Sequence, residues 1–131
     1  MANIAAERII MSGKLNLKYK FWIETTDGES IMGEGKWQLL KAIHEHGSLQ
    51  AAVSSMGYTY RQTWENLKNI EKKLGFKLLE KTRGGEKGGQ TILTPKGLKM
   101  VAFFDHLYAK AEPAIRELNE ALFDELDHII K

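Results

Sequence analysis

Between Lys14 and Glu24 the chain alternates, with Leu15, Leu17, Tyr19, Phe21 and Ile23 set against Lys14, Asn16, Lys18, Lys20 and Trp22. A period of two predicts a half-buried strand, because successive side chains of an extended chain point to opposite faces. Thr26-Asp27-Gly28 supplies turn chemistry, and Ile31-Met32 is expected to pair back briefly before Gly33. The first dozen residues are expected to be loosely ordered. From Glu34 the period becomes helical. Trp37, Leu40 and Ile43 recur on one face until His46-Gly47 ends the run. Ser48 is placed to cap a short second helix, Leu49 to Met56, whose small residues allow close packing and which Gly57 stops.

A third helix opens at Thr59-Tyr60-Arg61-Gln62, a pattern that predicts a capping box, and ends at Gly75. Tyr60, Thr63, Trp64, Leu67, Ile70 and Leu74 share one face, and Arg61, Gln62, Glu65, Asn69, Lys72 and Lys73 lie opposite, with Asn66 and Lys68 at the margins. Trp37 and Trp64 are expected in the core. Leu78 to Thr82 and Thr91 to Leu93 are short strand candidates, joined by the basic, glycine-rich hairpin Arg83 to Gln90. Thr94-Pro95 then opens a long helix that Pro113 is expected to kink or split. Beyond Pro113, Ile115, Leu118, Leu122, Leu126 and Ile129 recur every three or four residues, the spacing of a helix–helix seam.

These elements predict a mainly α fold with small β parts (α+β). It is a winged helix-turn-helix with an N-terminal strand and a long C-terminal dimerisation helix. The expected division is residues 1–94 for the winged domain and 95–131 for the dimerisation helix. At 131 residues there is room for one ordinary domain with an appended element, not for two.

Charge sharpens that picture. From Tyr58 to Lys99 ten basic side chains stand against four acidic ones, and from Met100 onward three bases stand against seven acids. A basic middle beside an acidic tail points to a polyanion-binding centre. Without cysteine there is no disulfide framework and no thiolate metal site. The N-terminus lacks a secretory pattern and no apolar run approaches the ~20 residues of a membrane span, so a cytoplasmic protein without membrane partners is expected.

Catalysis finds no residues to carry it. Ser54-Ser55 sits on the second helix without a recognisable base. His44 and His46, two apart, do not share a helix face, and His106 and His128 read as surface residues. Neither a metal nor another cofactor is expected, and the chain is not expected to be an enzyme. The glycine hairpin invites comparison with a nucleotide cradle, but Lys87 precedes its glycines instead of following them, and Glu86 sits where a dinucleotide fingerprint requires glycine.

Two short helices, a tight turn at Gly57 and a following helix with a polar N-terminal end are the parts of a helix-turn-helix. Side chains early on the last of these reach base edges in a major groove, which selects Arg61, Gln62, Glu65, Asn66 and Asn69 for base readout. Ser48, Tyr58, Thr59, Lys68, Lys72 and Lys73 are better placed for phosphates, with Arg83 and Lys87 on the wing. The expected partner is double-stranded DNA. A winged-helix module that binds protein instead of DNA is the alternative, and the excess of basic charge argues against it.

Gly47-Ser48-Leu49-Gln50-Ala51-Ala52, Gly57-Tyr58-Thr59-Tyr60-Arg61-Gln62-Thr63-Trp64, Thr82-Arg83-Gly84-Gly85 with Gly88-Gly89, and Leu93-Thr94-Pro95-Lys96-Gly97 together carry a family likeness. The segment from about Lys14 to Leu126 resembles the DNA-binding domain of ModE-type molybdate-responsive regulators, whose broader relative is the LysR-type winged helix. The resemblance implies a transcriptional regulator that is a homodimer held by its long final helix. The third helix would lie in the major groove, with the wings on flanking DNA. Leu107, Tyr108, Ile115, Leu118, Leu122, Leu126 and Ile129 are then the expected dimer interface. Full-length members continue into a molybdate-binding domain for which these residues leave no room, so molybdate binding is not expected of this chain.

Overall fold

The computed structural model describes residues 8–12, 15–85 and 88–131. Strands β1 (Arg8–Ser12) and β2 (Leu15–Tyr19) form an antiparallel hairpin, and β3 (Trp22–Glu24) and β4 (Ser30–Gly33) form a second. Three helices follow: α1 (Glu34–His46), α2 (Leu49–Met56) and α3 (Tyr60–Leu74). The third hairpin is β5 (Leu79–Gly85) with β6 (Gly88–Leu93), and α4 (Pro95–Ile130) completes the chain. The mainly α winged helix-turn-helix expected from the sequence is present.

Two sequence expectations fail at the N-terminus. Residues 8–12 are a strand, not a loose lead-in, and the single strand expected over Lys14 to Glu24 is two. The chain changes partner between them: Leu17 pairs with Ile10, whereas Trp22 pairs with Gly33. Alternation records which face is buried and is blind to which neighbour is bonded, so it runs through the break unaltered.

Contacts divide the chain into two compact units, Trp22–Phe103, and Met1–Phe21 with Phe104–Lys131. In the first, Leu39, Leu40 and Ile43 of α1 are buried with Leu49, Ala52 and Val53 of α2, Leu67 of α3, and Leu78, Leu79 and Leu93 at the wing. Trp37 joins this core as expected. The Ser48 hydroxyl accepts from the Ala51 amide at 2.9 Å and caps α2. At the other end Gly57 adopts φ 74°, a left-handed conformation that a side chain would oppose, and the chain turns at once into α3.

Thr59 does not form the expected capping box: its side chain makes no cap hydrogen bond, and only its carbonyl engages the helix, accepting from the Thr63 amide. Thr94 does cap. Its hydroxyl accepts from the Gly97 amide at 3.0 Å and donates to the Lys77 carbonyl at 2.6 Å, tying the start of α4 to the entry of β5. A methyl group on Gly97 would collide with the Leu78 carbonyl, so the close approach of α4 requires glycine there.

In the second unit Phe104 and Tyr108 of α4 are buried. The Phe21 ring meets Tyr108 edge-on at 5.4 Å and Tyr19 at 5.6 Å, and the Phe21 amide donates to the Tyr108 hydroxyl at 3.2 Å. Tyr108 is thus committed within its own chain and drops out of the expected dimer seam. Pro113 does not split α4, which continues through it as one helix. Arg116 and Glu112, one turn apart, pair at 2.8 Å across the proline and support that stretch.

Candidate nucleic-acid interface

α3 is held by its inner face. Thr63, Leu67 and Ile70 are buried, one helical turn apart, and Glu71 is buried beside them. A buried carboxylate is costly unless its oxygens are satisfied. One Glu71 oxygen accepts from the amides of Leu78 at 2.7 Å and Leu79 at 3.1 Å, and the other accepts from Lys68 Nζ at 3.1 Å. Burial pushes the carboxyl pKa up, but the two amides and the Lys68 ammonium outweigh it and hold the group below its ordinary value. Glu71 is therefore an ionised tie between the recognition-type helix and the first wing strand. Sequence reasoning counted it only as a charge.

The outer face of α3 is open. The Arg61 side chain is 91% exposed and approaches Glu65 one turn on at 3.5 Å, a contact too loose and too wet to hold it. Gln62, Glu65, Asn69 and Lys72 are exposed, and Asn66 is half-buried. Every residue selected for base readout thus reaches solvent along one helix. At its N-terminal end Tyr58 and Thr59 are exposed, Ser48 is half-buried as a cap, and Lys68 is half-buried. Lys73 pairs with Glu29 from the β3–β4 turn at 3.2 Å, which offsets the charge assigned to phosphate. Arg83 lies on β5, but its side chain, like the whole of Lys87, falls outside the described residues.

Lys36 was not singled out by its position in the sequence. It lines a recess of about 320 Å³ with Tyr58, Thr59, Gln62 and Asn66, which brings a cation of α1 to the start of α3. Trp64 corrects a second expectation. It is half-buried, not in the core, and two ammonium groups lie over its ring. Among the described residues no three His, Cys, Asp or Glu side chains gather as a metal-ion site, and no helix is long and apolar enough to cross a membrane.

This arrangement, a capped short helix, a glycine turn and a helix with an open polar face beside a β-hairpin, coincides with a family match. Residues 35–98 fit the model of the bacterial regulatory helix-turn-helix protein, lysR family. The segment is a LysR-type helix-turn-helix domain. Over 70% of its length the chain is 29% identical to the molybdenum-pterin-binding protein MopB of Rhodobacter capsulatus, of which it covers 34%. Over 74% it is 28% identical to the molybdenum transport protein ModE of Azotobacter vinelandii, covering 36% of that protein. It is 31% identical over 63% to the transcriptional regulator ModE of Haemophilus influenzae, covering 32%. The chain spans about a third of the length of these relatives. The resemblance to ModE-type regulators expected from the sequence is borne out by these relatives.

On the second unit, the residues expected at a seam fare unequally. Leu118 and Leu122 are 53% and 50% exposed and Ile129 is 78% exposed, whereas Leu107, Ile115 and Leu126 are half-buried. Leu118, Leu122 and Leu126 line an apolar groove of about 240 Å³ with Ile115, Phe123 and Tyr19.

Proposed function

We propose that the protein binds double-stranded DNA sequence-specifically as a homodimer and regulates transcription in the cytoplasm. The observation that carries this reading is the open face of α3. Arg61, Gln62, Glu65 and Asn69 stand exposed on a helix whose other side is anchored in the core and tied through Glu71 to the wing. Arg pairs with guanine through two hydrogen bonds, and Gln or Asn pairs with adenine, which a helix presented to the major groove can exploit. Tyr58, Thr59, Lys68, Lys72, Arg83 and Lys87 supply the backbone contacts, joined by Lys36 at the recess. Catalysis and cofactors have no part in this reading. The names of the relatives associate them with molybdenum; no molybdate site is assigned to this chain.

The dimer is supported by the leucines of α4. Burying Leu118 and Leu122, about half exposed, and Ile129, mostly exposed, against a second copy would contribute roughly half to three quarters of the ~1.5–3 kcal/mol that complete burial of such a side chain brings. Two copies related by a twofold axis would address half-sites about 34 Å apart, or a multiple of that spacing.

Selection from a pool of random duplexes tests the function directly. A palindromic sequence should be enriched, and its affinity should fall on the order of a thousandfold between about 50 and 200 mM salt if the dimer meets six or more phosphates. A pool that emerges unselected, or an affinity indifferent to salt, would overturn DNA recognition and favour a protein partner.

A further inference from the structure

Trp64 occupies an unusual place for an indole: it sits on the helix proposed to enter DNA, half-buried, beneath two cations. Lys68 Nζ lies 4.3 Å from the ring centroid and Lys81 Nζ 4.7 Å from it. The first lysine is one turn along α3, and the second belongs to β5. Tyr60, one turn earlier, is parallel to the indole at 6.4 Å and flanks it.

Two ammonium groups repel each other, and long lysine chains left to themselves disperse into water. The negative face of an indole offsets part of that repulsion and limits the freedom of both chains. Backbone geometry reinforces the arrangement. Glu71 accepts from the Leu78 and Leu79 amides, fixing β5 to α3 two residues before Lys81, and takes a hydrogen bond from Lys68 as well. Lys81 has no carboxylate partner among the described residues. A helix cation and a wing cation are therefore set in position before any ligand arrives, which lowers the entropy lost when they engage one.

We propose that Lys68 and Lys81 form a phosphodiester-binding pair spanning α3 and the wing, and that Trp64 is the positioning residue that holds it. The pair suits the chemistry of a duplex backbone, an array of phosphate oxygens that accepts charged donors without regard to base sequence. The proposal rests on the DNA-binding reading above and adds Lys81 and Trp64 to it.

The test is fluorescence anisotropy of the selected duplex and a scrambled one, across a salt series, with the parent protein and the variants Lys81→Ala, Trp64→Leu and Trp64→Phe. Lys41→Ala removes an equal charge from α1 and serves as the control. Lys81→Ala should weaken both duplexes alike, by roughly three- to tenfold, and lower the salt slope by about one for each protomer. Trp64→Leu should lower affinity and slope together. Trp64→Phe, which keeps an aromatic face, should fall between it and the parent. Combining Lys81→Ala with Trp64→Leu should cost little more than the worse single change, because both remove one contact. Lys41→Ala should keep the parent slope. If the parent binds steeply with salt while Lys81→Ala keeps its full slope, the pair is wrong and DNA binding stands. If Trp64→Leu loses affinity at an unchanged slope, Trp64 is only packing. Should Trp64→Leu fail to fold, the slopes of Trp64→Phe and Lys81→Ala decide. A parent that binds neither duplex overturns the functional reading and this one with it.

Discussion

α3 and the second half of α4 both present side chains to solvent, and they differ in the large apolar ones among them. On α3 the open residues are Arg61, Gln62, Glu65, Asn69 and Lys72, groups already well solvated. On α4 Leu118, Leu122 and Ile129, groups that water disfavours, stand exposed among charged residues such as Glu117, Glu120 and Asp124. Exposure alone therefore does not identify a partner. A polar face gains by binding only if the ligand matches its donors and acceptors, whereas an apolar face gains from almost any dry cover, a second copy of the same stripe included. The two faces also differ in support. α3 is pinned by Thr63, Leu67, Ile70 and the Glu71 tie, a rigidity that suits directional hydrogen bonds.

The strongest way to break this contrast is to make the α4 stripe resemble α3. Leu118→Lys with Leu122→Lys should convert a dimer to a monomer in sedimentation and lower affinity for a palindromic site at least about a hundredfold, because the second half-site is no longer tethered. A variant that remains dimeric would move the seam off this stripe.

Removing the support beneath α3 comes next. Glu71→Ala leaves two backbone amides and Lys68 without their acceptor and should cost about 2–4 kcal/mol in urea unfolding. The same group predicts a pH dependence. Because its folded pKa is lowered, its contribution is complete above the ordinary glutamate range and is lost as pH falls through the folded value. Unfolding measured from about pH 7 down to pH 3 should show this loss in the parent and a smaller one in Glu71→Gln.

On the polar face itself, Arg61→Ala should cost roughly 1–3 kcal/mol on the selected sequence and much less on random DNA. Equal losses on both would make Arg61 a backbone contact. The smallest effect is expected from Lys73→Ala, whose exposed pairing with Glu29 should contribute less than about 1 kcal/mol to stability.

Much of this was legible in the chain before folding. Ser48 and Gly57 bound α2 as expected, and the outward residues of α3 are those its periodicity selected. What was missed has a common character. Tyr108 lies in the apolar phase of α4, and periodicity does not say whether such a residue meets its own chain or another; Phe21 of the same chain answers that by packing on it. Trp64 has the spacing of a core residue, yet lies at the edge of that face, where Lys81 from a distant strand reaches it. Thr59 begins a capping pattern that its side chain does not complete.

Local physics, then, was settled by the order of residues: where helices start and stop, which side of each is apolar, and where positive charge accumulates. Those follow from backbone sterics and periodicity within a few turns of chain. Tertiary structure alone decided the ties between segments far apart, Glu71 to the amides of Leu78 and Leu79, Lys81 to Trp64, Lys36 to the start of α3, and the Leu78 carbonyl against Gly97. Such contacts depend on how two elements meet in space, and no periodicity within either element encodes the meeting.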